Sequence, residues 1–320
     1  MVVADYYDSL LLGHLKKCLE SRKEDLNADP ALRGGHSGCM YNGFVIGTNP
    51  KEAVLRYLKL QSPVDFDQRL LFDAGFGNED AHNALLDAAG VPYKCEEKIP
   101  IKWETSNGYT VTGRPDRGIL NADGNIISII EEKQIASSWK TKTFSNWGDN
   151  QPKPENVAQA AHYMWQHQVD HGILAYTNRA WHALKAKTEV LANPNHRAIL
   201  GSDEWTFGIK PFMAFYQLEW KGDTLYVNNT ESRITKGGIE EYYVMLGKCL
   251  TDEVIPEYHY KDIWGGTINK KKNEKYFEWA DVPTESWTEW VDIIREQVNV
   301  DWENLERAIN DRSTRAQLYV

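Results

Sequence analysis

The sequence predicts an α/β fold: a central mixed β-sheet flanked by helices, with helical additions at both ends. Three observations predict it. Short apolar, β-branched runs between turn residues fill two blocks, about 95–134 and 173–227. Segments with a helical period precede, separate and follow these blocks. No internal repeat, low-complexity tract or linker divides the chain. One domain over residues 1–320 is therefore expected, with its core at about 75–235 and the additions at 1–74 and 236–320.

Residues 5–27 read as a helix, and 28–50, rich in Gly and Asn, as irregular. A second helix is expected over Lys51–Leu60. In the third, Asn78 caps, Glu79 and Asp80 put negative charge on the first turn, and Gly90 stops the helix. Its inward stripe is His82, Leu85, Leu86 and Ala89. Strands follow at about 95–104, 110–120 and 125–134, then a polar stretch to Pro154, which suits a first helical position. That helix is expected to reach about His171 and to end at Gly172. The runs ILAYT, FMAFYQLEW and TLYVNN add strands, the last two turning at Lys221-Gly222-Asp223. From Gly238 the pattern is helical again, interrupted by the basic run Lys270, Lys271, Lys272.

Composition removes several classes of function. With 42% hydrophobic and 26% charged residues the chain has the balance of a globular protein that buries a real core. No apolar run approaches the roughly 20 residues needed to span a bilayer. No basic stretch precedes an apolar one at the start, so a cytoplasmic protein without a membrane partner is expected. The cysteines, at 18, 39, 95 and 249, form no Cys-x-x-Cys pair and read as reduced thiols. A net charge of −10 argues against nonspecific coating of nucleic acid. It leaves room for a local basic groove, because fields are screened beyond about 10 Å, and Lys133, Lys140, Lys142 and Lys153 cluster in one segment. The chain has no Gly-rich loop ending in Lys-Ser/Thr, hence no ATP motor of its own, and GGHSGC lacks Gly-x-Ser-x-Gly spacing. His167 and His171 have zinc-pair spacing without the accompanying Glu, so zinc is discounted.

One stretch, GRPDRGILNADGNIISIIEEKQ (113–134), carries the chemistry. If Asp123-Gly124 is a two-residue hairpin loop, opposed residue numbers sum to 247 and Asp116 lies opposite Glu131. A three-residue loop would slip this register by one. Opposed side chains share a face with Cβ atoms about 4.5 to 5.5 Å apart, so two like charges meet. Lys133 projects from the same face roughly 6 to 7 Å further along, and Glu132 points away. Two carboxylates with a lysine beside them suit a hard divalent cation that bridges to a phosphate. The same pattern also suits a salt-bridge cluster at a strand end.

Pro115-Asp116 followed by Glu131-Glu132-Lys133 resembles the core of the PD-(D/E)XK nucleases. Two further motifs are similar to those of the RecB-like branch. GNEDAHNALL places His82 where that branch carries a metal-binding histidine, and QAAHY supplies Gln159 and Tyr163 of a Gln-x-x-x-Tyr helix. The motifs run in the branch's order over residues 82–163. The resemblance implies a restriction-endonuclease-like core in which His82, Asp116, Glu131 and the backbone carbonyl of Glu132 bind Mg²⁺ or Mn²⁺. It also implies that Lys133 serves the attacking water while Gln159 and Tyr163 place the DNA strand or the lysine. Glu79, one turn before His82, is a rival ligand. Lys140, Lys142, Lys270, Lys271 and Lys272 are expected to meet phosphates, and Trp139 and Trp147 to stack on unpaired bases.

Similar stand-alone proteins include CRISPR-associated and phage exonucleases, which points to DNA processing, recombination or repair in a phage or prokaryote, and to host cytoplasm for a phage protein. Many of those hold an iron-sulfur cluster with one cysteine before the histidine motif and three near the C-terminus. Here Cys39 could be the first, but only Cys249 follows the Gln-x-x-x-Tyr helix, so no cluster is expected. A metal-dependent DNA exonuclease is the first expectation, with a helicase or recombination protein as a further partner. A structure- or sequence-selective endonuclease and an inactive nucleic-acid-binding module are the alternatives.

Overall fold

Seven strands build the central sheet. In spatial order they are β12 (Thr230–Thr235), β11 (Thr224–Val227), β10 (Met213–Lys221), β9 (His171–Asn178), β8 (Ile126–Ile135), β7 (Arg117–Leu120) and β4 (Tyr93–Cys95). β8 and β9 run parallel and the other neighbours antiparallel, so the sheet is mixed, as expected. The computed structural model describes residues 3–33, 38–41, 44–48, 50–63, 79–80, 82–135, 152, 154–178, 213–256 and 282–318. A smaller sheet of β1 (Leu32–Arg33), β6 (Thr110–Gly113) and β5 (Ile101–Glu104), and a hairpin of β2 (Gly38–Tyr41) and β3 (Phe44–Thr48), stand beside it. Among the described residues no helix is long and apolar enough to cross a membrane.

The small strands correct the reading of 28–50 as irregular. Strands of two to five residues fall below any detectable period, and β1 finds its partner near residue 111. Two expected strands are also split. The run 95–104 breaks at a 3₁₀ turn, Glu96–Lys98, which parts β4 from β5. The run 110–120 breaks at 114–116, where Pro115 offers no N–H to a ladder. β6 and β7 consequently join different sheets.

The β7–β8 hairpin reaches the expected register by an unexpected route. Its loop has three residues: Asn121 N donates to Asn125 O at 2.9 Å, and Asn121 Oδ1 accepts from the N–H groups of Asp123 and Asn125. Gly124, at φ 81°, supplies the left-handed residue such a turn requires. Leu120 therefore pairs with Ile126, one short of the expected sum. The extra residue, Ile127, makes a bulge, and below it Ile119 pairs with Ser128, Gly118 with Ile129 and Arg117 with Ile130. The slip and the bulge cancel.

A parallel pair needs a crossover, and helix α4 (Pro154–Gln166) supplies it between β8 and β9. Helices α1 (Val3–Asn27), α2 (Pro50–Tyr57) and α3 (residues 79–80 and 82–88) precede it in the chain. α4 buries Val157, Ala158, Ala160, Ala161 and Met164. It seats closely because the second residue of β9 is Gly172, where an added Cβ would lie 2.5 Å from Met164 Sδ and 3.2 Å from Ile129 O. The helix stops at Gln166, short of the expected His171. Gln168 adopts φ 55°, its N–H reaches Trp165 O and that of Val169 reaches Met164 O, a Schellman ending on a residue other than glycine. Helices α5 (Lys236–Asp252) and α6 (Trp287–Leu318) complete the core with Ile239, Tyr242, Tyr243, Leu246, Trp290 and Ile294.

The inward stripe expected for α3 is also corrected. His82 is buried, but Leu85 is 58% exposed and Ala89 is exposed as well. The inward edge runs through buried His82 with half-buried Asn83 and Leu86, and Asn83 Oδ1 receives a buried arginine from β7.

Candidate active site

The site forms where the chain passes from the small sheet into the central one. Asp116 immediately precedes β7, and its Oδ2 accepts the backbone N–H of Glu132 at 2.5 Å. Along β8 the side chains alternate. Glu131 and Lys133 take the face toward α4, and Glu132 takes the other. Glu131 is completely buried; one carboxylate oxygen pairs with Lys133 Nζ, and the other, Oε2, is buried without a hydrogen-bond partner.

Burial of like charges dominates the electrostatics. Burial, then Asp116, pushes the Glu131 carboxyl up to about 8 against the pull of Lys133. Asp116 is raised too, again first by burial, with Lys133 and the Glu132 N–H opposing. The Glu79 carboxyl, on the first turn of α3, stands at about 7 because of burial and then Asp116. Burial alone would lower the Lys133 ammonium, but Glu131 and Asp116 outweigh it and hold the lysine charged. Three carboxylates thus gather around Lys133, and Arg117 also draws Glu79 and Asp116 downward.

α4 closes the same side. Gln159 Nε2 donates to Tyr163 Oη at 3.4 Å, and the Tyr163 phenol is held neutral, first by burial and next by Glu131. Asn156, one turn earlier, donates to Tyr176 Oη at 2.7 Å, and Tyr176 stands in register beside Lys133. His162, between the two motif residues, faces into the core. Trp103 Nε1 donates to its Nε2 at 3.0 Å, and burial lowers its pKa to about 3. His167 does not share a helix with His171, since its Nε2 meets Ile99 O and His171 opens β9.

His82 is placed differently from the other expected ligands. Its Nδ1 pairs with Glu132 Oε1 and its Nε2 lies 3.2 Å from Thr177 Oγ1 of β9. Both ring nitrogens are therefore taken on the sheet face opposite Glu131 and Lys133. Arg117, buried to 1% exposure, reaches the same Glu132 oxygen through one terminal nitrogen. Its Nε donates to Asn83 Oδ1 at 2.5 Å and its NH2 to Glu79 O at 2.6 Å. Sequence reasoning missed Arg117, Asn83, Thr177 and the Glu132 side chain. The one available signal was position: Arg117 and Glu132 adjoin Asp116 and Glu131 in strands whose alternation sends neighbours to opposite faces.

Lys140, Lys142, Lys153, Lys270, Lys271, Lys272, Trp139 and Trp147 lie outside the described residues. Among the described residues no group of three or more His, Cys, Asp or Glu side chains could hold an ion by itself. The donor set nevertheless fits Mg²⁺ or Mn²⁺. Mg²⁺ is typically bound by one or two carboxylates together with water and substrate phosphate. Asp116 and Glu131 are two such groups, and the orphaned Glu131 Oε2 is a buried acceptor that wants a positive partner.

No protein-family model and no curated protein matches the chain. Among solved structures, the crystal structure of SSO0001 is similar at a TM-score of 0.40 and 15% identity, covering 75% of this chain and 85% of that one.

Proposed function

We propose that the chain is a metal-dependent DNA nuclease of the RecB-like PD-(D/E)XK kind, acting as an exonuclease in DNA processing, recombination or repair. The observation that carries the reading is the convergence of Asp116, Glu131 and Lys133 beneath Gln159 and Tyr163, with a buried carboxylate oxygen left unpartnered. Asp116, Glu131 and the Glu132 carbonyl would hold Mg²⁺ or Mn²⁺, which when bound polarises the phosphate and offsets the charge of the carboxylates. Lys133 keeps its proton, so it orients the attacking water as a donor and stabilises charge growing on the phosphate oxygens. Water adds to phosphorus and gives up a proton to solvent as the bond to the leaving sugar oxygen breaks, and the leaving oxygen takes up a proton from solvent. Tyr163 and Gln159, one helical turn apart, hold the strand over this centre.

The test is cleavage of linear duplex, linear single-stranded and closed circular DNA with Mg²⁺ or Mn²⁺, beside EDTA and a Lys133→Ala chain. Linear substrates are expected to be lost and circles spared, with the variant down by roughly 10²- to 10⁴-fold. Nicked circles would make the protein an endonuclease. A second reading, a nucleic-acid-binding module without turnover, has one observation in its favour: neither nitrogen of His82 is open to a metal. DNA bound but left intact in every arm would establish it.

A further inference from the structure

The geometry points to His82 as a positioning residue that, with Arg117, grips the Glu132 side chain and does not itself ligate the cation. This rests on the nuclease reading and departs from the ligand set which the sequence motifs imply. Glu132 stands between Glu131 and Lys133 in the chain, and Arg117 follows Asp116. Each clamped residue thus adjoins the residues of the site, pointing the other way. The Glu132 N–H is bonded to Asp116, while its carboxylate is bonded to Arg117 and His82. One residue therefore couples the two faces of the sheet.

The chemistry of the ring excludes simultaneous ligation in this arrangement. Nδ1 faces a carboxylate and must carry a hydrogen to bond it, so the lone pair available to a metal is on Nε2. That nitrogen meets the hydroxyl of Thr177, which is 2% exposed, inside the packing of α3 against β9. A metal there would have to displace a buried threonine and would lie across the sheet from Glu131.

The clamp also has a task that ligation does not explain. A slip of β8 by one residue would send Glu131 and Lys133 to the α3 face and Glu132 to the α4 face. Setting register is the best attested use of a buried ionic cluster. Here it is pinned on three sides: Arg117 from β7, His82 from α3, and through His82 the β9 hydroxyl. The hairpin needs such a pin, since its loop and its bulge each shift the pairing by one residue.

The experiment is Mn²⁺ binding by the full chain, followed by continuous-wave EPR, with pulsed EPR for nitrogen coupled directly to the bound ion. No directly coordinated nitrogen is expected. His82→Asn keeps a donor near the Nδ1 position and is expected to bind Mn²⁺ as the wild type does. His82→Leu removes the donor and is expected to weaken binding on the order of 10- to 100-fold. A nitrogen coupling that vanishes in His82→Asn would overturn the inference and leave the nuclease reading standing, as would equal losses of affinity in both variants. Failure of the wild type to bind Mn²⁺ at all would overturn the nuclease reading and the inference with it.

Discussion

Glu131 is held against the ordinary preference of a carboxyl for charge. It is fully buried beside Asp116, and its carboxyl stands at about 8 against an ordinary 4.5. A carboxyl raised in the folded state contributes stability that is complete below its unfolded pKa and is lost as pH rises through the folded one. Glu131 therefore weakens the metal-free protein progressively between about pH 4.5 and 8. Glu131→Gln mimics the protonated form at every pH. Its stability relative to the wild type, measured by denaturant unfolding in EDTA, is expected to improve between pH 5 and pH 8.5 by on the order of a few kcal/mol. A difference that does not change with pH would mean that Lys133 keeps Glu131 ionised throughout.

Among the elements, α4 sets the distance between the site and whatever lies over it. Its approach depends on Gly172, whose missing Cβ leaves room for the Met164 thioether. Gly172→Ala is expected to cost about 1–3 kcal/mol, because Met164 is fully buried and Ile129 O behind it is backbone. Thermal unfolding checks the cost. DNA affinity of the same variant checks the displacement of Gln159 and Tyr163.

The legibility of elements followed their length and their stops. The long apolar runs became β8, β9 and β10, and Pro154 opened α4 where its missing N–H cost nothing. Endings were less visible: Gly90 announced the end of α3, while Lys59, Gln168 and Glu253 adopt the same left-handed geometry without being glycine. Asp116, Glu131 and Lys133 fall where a two-residue loop would put them only because the three-residue loop and the bulge at Ile127 cancel. The orientation of His82 was not legible, because it depends on Glu132 and Thr177 of two strands and, through Glu132, on Arg117 of a third.

At the scale of the whole molecule, the proposed nuclease would have to admit a polyanion to a chain with a net charge of −10. The site itself adds to the difficulty, since Glu79, Asp116 and Glu131 surround a single lysine already paired with Glu131. Two charges 4 Å apart interact by about 4 kcal/mol at the effective dielectric of a protein surface, so an approaching phosphate is repelled unless the carboxylates are neutralised. Protonation does this below about pH 7 to 8 for Glu79 and Glu131, and the proposed divalent cation would do it above. Binding of a short DNA to the unaltered chain, whose carboxylates keep Lys133 beside them, is therefore expected to depend on divalent cation at pH 8.5. At pH 6 the dependence should be weaker. Fluorescence anisotropy with Ca²⁺ against EDTA, at constant ionic strength, reads both. Equal affinities with and without Ca²⁺ at pH 8.5 would place the DNA away from these carboxylates, on basic surface elsewhere in the chain.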